Sequence, residues 1–113
     1  MDILFIASVS LIGQGSRQTP DLLTKVIGLP LKPHAPDPEY LFSEEIEGAK
    51  HFGIWPLTQA AEACFGTDRW PGDVPIPQVS VEFEVKSAAA VADAERELRQ
   101  AGARVLHATR TEP

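Results

Sequence analysis

The sequence has a single cysteine, Cys64, so no intrachain disulfide can staple the fold. No histidine lies near it, and its AAEACFG setting reads as a small core residue rather than a nucleophile. Basic residues are few: ten Lys and Arg stand against sixteen Asp and Glu, for a net charge of −6. They form no stripe, which argues against nucleic-acid binding, because phosphate contacts need clustered cations. No apolar run reaches the roughly 20 residues that span a bilayer. The opening MDILFIASVSLIG is apolar but short, carries Asp2 and lacks the basic start of a signal peptide. These absences point to a cytoplasmic protein with neither a nucleic-acid nor a membrane partner.

What is present suits one small domain. The chain has 113 residues, 43% of them hydrophobic. Seven of the ten prolines fall in 30–38 and 71–77, which read as loops. Residues 3–12, ILFIASVSLI, are a buried strand by their β-branched and aliphatic content. In TPDLLTKVIGLP, Thr19 is a natural N-cap, Pro20 fits the first helical position and Asp21 suits the positive end of the dipole. Gly28 and Pro30 close that helix. EYLFSEEIEG and AKHFGIWPL read as strands meeting near Glu47–Gly48, and TQAAEACFG as a short helical segment. Residues 78–85 alternate apolar Val79, Val81, Phe83 and Val85 with polar Ser80, Glu82 and Glu84, the period of a strand with one face in a core. Ser87 then caps a helix that Gly102 ends, with Val91, Ala94 and Leu98 as its apolar stripe, and ARVLHATRTEP restarts as a strand over 104–109. The second half thus begins as the first did, a weak repeat of supersecondary units in an α+β domain. Helices would cover one face of the sheet, so the apolar side of 79–85 should lie under the helix 87–101 and the other face should stay free.

The run SVSLI, a helix ending in IGLPL, then GAKHFGIWPL, then VPIPQVSVEFEV with a helix ending in AGARVLH resembles the vicinal-oxygen-chelate superfamily, the group of glyoxalases, bleomycin-resistance proteins and extradiol dioxygenases. The resemblance runs over nearly the whole chain. It implies paired βαβββ modules forming a cup around a ligand: 1–66 as the first module, 67–77 as a linker, and 78–113 as a second module truncated after its first strand, helix and second strand. A homodimer is implied, with strand or module exchange as one way to close the cup. The family's metal positions fall on Ser8, Ser80 and, near its first-module glutamate, Gly53. Serine and glycine do not hold a divalent ion, so the family pattern points to no metal and no other cofactor. The implied function is metal-free binding or sequestration of an aromatic or drug-like small molecule, of the bleomycin-resistance type. The alternative is a metal-dependent lyase or dioxygenase with a non-standard ligand set drawn from His51, Glu82 and His107, in which case a divalent metal is required.

Candidate site residues follow. His51 shares a strand face with Ala49, Gly53 and Trp55, and either binds ligand or is a hydrogen-bonded strand histidine. His107 carries the same two readings on the last strand, and His34, between prolines, reads as solvent-exposed. Glu82 and Glu84 share a face with Ser80; that face is either wetted or does acid–base work, and Glu82 is the candidate general base. Trp70 sits in a polar linker that no periodicity explains, so it either plugs a core edge or lines a pocket or dimer contact. The candidate ligand-binding set is Phe5, Ser8, His51, Trp55, Trp70, Ser80 and His107, with Phe42 as a further aromatic.

Overall fold

The computed structural model describes residues 1–110. It is an α+β arrangement built on one five-stranded mixed sheet, in the order β2-β3-β4-β1-β5. The strands are β1 (Phe5–Gly13), β2 (Lys32–Pro33), β3 (Leu41–Ser43), β4 (Phe52–Pro56) and β5 (Val79–Glu84). The helices are α1 (Gln18–Asp21), which runs straight into a π-helical turn, Leu22–Val26, then α2 (Leu57–Phe65) and α3 (Ala88–Gln100). β1 lies parallel to β4 and antiparallel to β5, and β3 lies antiparallel to both β2 and β4.

Register assigns the two faces. Ser10 stands beside Gly53 and Ile12 beside Trp55 across β1 and β4. Ser8 pairs with Glu82 and Ser10 with Ser80 across β1 and β5. Phe42 pairs with Gly53 across β3 and β4. Ser8, Ser10, Phe42, Gly53, Trp55, Ser80 and Glu82 therefore share one face. A register shift between Ile6 and Ser8 leaves Ala7 as an extra residue. Beyond this bulge Phe5 pairs with Glu84, so Phe5 joins the same face despite its odd number.

The opposite face carries the core. α2 packs on β4 and β1. Ile54, Ala60 and Ala61 are the buried apolar residues, and Ser43 is buried with them. The serine is satisfied locally, because its Oγ accepts from the Glu45 N–H at 3.1 Å. Alanines on α2 let the helix sit close to the sheet.

Three sequence expectations change. The first helix opens two residues early. Arg17 precedes it, Ser16 Oγ takes the Gln18 N–H at 3.1 Å, and Thr19 lies inside the first turn. Pro20 is still harmless there, since first-turn N–H groups have no helical acceptor. The expected strand 104–109 does not form. Among the described residues, 103–110 have no regular structure, because the Thr109 N–H and hydroxyl donate to the Glu95 carboxylate on α3 rather than to a strand ladder. Residues 78–110 thus hold one strand and one helix, with 111–113 outside the described residues. Lastly, α3 does not close over β5. Val79, Val81 and Phe83 are 47%, 45% and 58% exposed, as are Val91 and Leu98 on the helix at 44% and 43%. Only an apolar groove of about 410 Å³ lies between Phe83 and Val85 on one side and Val91, Ala94 and Leu98 on the other. Ser87 and Gly102 punctuate α3 as read: Ser87 accepts from the Ala90 N–H, and Gly102 takes φ +85°.

Candidate functional site

The helix-free face gathers an aromatic and imidazole cluster on β3, β4 and the segments flanking them. His34 stacks on Tyr40 with ring centroids 5.2 Å apart, and Phe42 stacks on His51 at 5.2 Å with the rings 8° from parallel. Gly53 makes this possible. A Cβ there would lie 2.8 Å from both the Leu41 carbonyl oxygen and Tyr40 Cε1. With only hydrogen at that position, the Tyr40 ring lies across β4 and reaches His51.

The polar contacts form a chain. The Tyr40 hydroxyl and His51 Nε2 are 2.5 Å apart, and His51 Nδ1 lies 3.6 Å from Glu44 Oε1. A carboxylate, an imidazole and a hydroxyl thus stand in line. Burial pushes the Tyr40 phenol up; a hydrogen bond from Ser10 opposes this, while the Glu82 and Glu44 charges add to it. The phenol is held protonated in a negative field. Ser8 and Ser10 are the buried hydroxyls of the face, at 7% and 5% exposure.

Two adjoining cavities open here. One of about 330 Å³ is lined by Ser8, Tyr40, Glu44, Lys50, His51 and Glu82. The other, about 530 Å³, runs from Ser8 and His51 under the turn Ile46–Lys50. Lys50 Nζ sits 4.5 Å above the Phe5 ring, and Lys32 Nζ 5.4 Å from the Phe42 centroid. These lysines cap aromatic faces at the rim.

Of the sequence candidates, Phe5, Ser8, His51, Trp55, Ser80 and Glu82 come together on this face. Trp70 and His107 do not. Trp70 packs edge-on against Phe65 at 5.0 Å and donates Nε1–H to the Val74 carbonyl at 3.0 Å, as the plug at the end of α2. His107 is exposed beyond α3 and contacts the Ala108 carbonyl next to it. His34, expected in solvent, is half-buried against Tyr40 and Phe42, with a buried Nδ1 that has no hydrogen-bond partner. Cys64 is half-buried at α2, and burial pushes its thiol up, which suits a packing role.

Sequence reasoning missed Tyr40, Glu44, Lys50 and Ser10. One signal was available: a glycine inside a strand pattern, Gly53, marks a place where something approaches the backbone closely. Among the described residues no group of three or more His, Cys, Asp or Glu converges on one point. No helix among them is long and apolar enough to cross a membrane. The chain matches no family model, no curated protein and no solved structure.

Proposed function

We propose that this protein binds a small aromatic or amphipathic molecule on the helix-free face of its sheet, without a metal. The observation that carries this reading is the joint placement of Tyr40, Phe42 and His51, two of them stacked, against cavities walled by Ser8, Glu44 and Glu82. Aromatic rings supply contact area at low entropy cost, and the few polar groups fix orientation. In fold terms the reading is a bleomycin-resistance-like member of the vicinal-oxygen-chelate superfamily. Its support is the order β1, α1, β2, β3, β4 with β1 parallel to β4, the connectivity expected of a βαβββ module. A homodimer accompanies the proposal, because β5 is an edge strand with an exposed apolar side that a second copy would cover.

Tryptophan fluorescence tests the binding reading. Trp55 lies on the proposed face and Trp70 does not. Flat aromatic ligands titrated into a Trp70→Phe variant should quench Trp55 saturably. A folded sample that responds to no member of a broad aromatic panel would sink the proposal. Light scattering tests the dimer, and a monomer at high micromolar concentration counts against it.

A further inference from the structure

We propose that Glu44, His51 and Tyr40 form a proton relay with which this face enolises small carbonyl compounds without a metal, Tyr40 acting as the acid and Glu82 as the base. The inference rests on the same face being a ligand site and adds a reaction to it.

The geometry carries the argument. The order carboxylate, imidazole, hydroxyl is the one in which a charged group orients a ring and the ring passes a proton to or from an oxygen. The 2.5 Å contact between His51 Nε2 and the Tyr40 hydroxyl works in both directions. A neutral ring protonated on Nδ1 accepts the phenol proton, and a doubly protonated ring donates to the phenol oxygen, which frees the phenol proton for a ligand. Glu44 faces Nδ1 in both states. Glu82 lines the same 330 Å³ cavity from β5, across from Tyr40. An acid and a base thus face one cavity from different strands, and burial keeps the acid protonated.

The proton count closes. The Glu82 carboxylate takes a proton from the carbon next to the carbonyl. That C–H electron pair forms the C=C bond, and the carbonyl π pair moves to oxygen. The Tyr40 O–H proton goes to that oxygen, and the His51 Nε2–H proton passes to Tyr40. The reverse sequence restores the ketone, so the net reaction is tautomerisation with no oxidant or co-reactant. Tyr40 and Glu82 touch substrate and are catalytic. His51 and Glu44 act through Tyr40 and position it.

Proton NMR in D2O tests this with acetophenone and phenylacetone, the full-length protein and excess EDTA. The protein should speed loss of the α-proton signals above buffer and above heat-denatured protein. Tyr40→Phe and Glu82→Gln should each slow that exchange by about 10²-fold or more. Glu44→Gln should lower kcat several-fold at unchanged KM, with Glu44→Asp restoring part of it, a split that a merely structural role would not give. Tyr40→Phe keeps the ring and its stacking, and circular dichroism checks each variant's fold. Exchange no faster than buffer, or exchange that survives both Tyr40→Phe and Glu82→Gln, or exchange that needs added metal, overturns the relay. If Trp55 quenching by ligand persists in that case, the binding reading stands alone. If quenching is also absent, both fall.

Discussion

The two halves of the sheet are built differently. Where α2 packs on β4, side chains are sealed: Ile54 is 4% exposed and Ala61 of α2 is fully buried. On the β5 side, Phe83 is 58% exposed and α3 stands off from it. Both halves carry alternating apolar residues, so alternation alone does not tell a covered strand from an uncovered one. The difference lies in the helix. α2 begins at the residue after β4, so it has no slack and lies back on the sheet. Its alanines fit close. α3 follows β5 after a short turn, yet its apolar stripe and the strand's apolar face meet only along a groove. The candidate site lies on the other side of the sheet, and most of its residues belong to the sealed half.

The largest test of this contrast is in the core. Ile54→Ala should cost about 2–5 kcal/mol, whereas Phe83→Ala should stay within about 0.5 kcal/mol, both by urea denaturation. Equal losses would mean that β5 is covered in solution, for instance by a second copy, and that loss would then depend on protein concentration. Next comes Gly53→Ala. Its Cβ meets backbone as well as the Tyr40 ring, so overpacking should cost about 1–3 kcal/mol. The displaced Tyr40 should part from His51, visible as a changed His51 ring signal in NMR. On the open half, Ser87→Ala removes the cap on α3 and should cost about 1 kcal/mol. Amide exchange should quicken at the start of α3 while α2 is unaffected. Smallest is the tail. Thr109 and Arg99 hold the exposed Glu95 carboxyl at about 2, with the Thr109 hydroxyl as the leading cause. Its value is lowered on folding, so its contribution is present above the ordinary carboxylate range and is lost as pH falls through about 2. Thr109 amide protection should drop over that acid window, and Glu95→Gln should abolish the dependence.

Much of the framework was legible because it is local. The alternation of 79–85, the Ser87 cap, the Gly102 stop and the Glu47–Gly48 turn each depend on neighbours in sequence, and each is present. The site was only half legible. Ser8, His51 and Glu82 follow from strand parity. The Tyr40–His51 bond joins residues eleven apart and depends on how β3 and β4 pair, which no local pattern fixes. Glu44 gains meaning only through His51. The strand 104–109 failed for the complementary reason: a strand pattern needs a partner edge, and Thr109 finds its acceptor in Glu95 instead. Of the two readings of Trp70, the core-edge plug is the one its partners fit, Phe65 and the Val74 carbonyl.

The extra residue at Ala7 has a consequence for how β1 can vary. It is a parity boundary. On its C-terminal side even numbers face the site; on its N-terminal side odd numbers do. By register Phe5 and Ser8 therefore stand on one face and Ile6, opposite Phe83, on the other, although Ile6 also lines the cavity of about 530 Å³. Deleting Ala7 would restore a single rhythm along the strand. It would leave Phe5 opposite Glu84 and still on the site's face, and remove the local bend that the extra residue puts between Phe5 and Ser8.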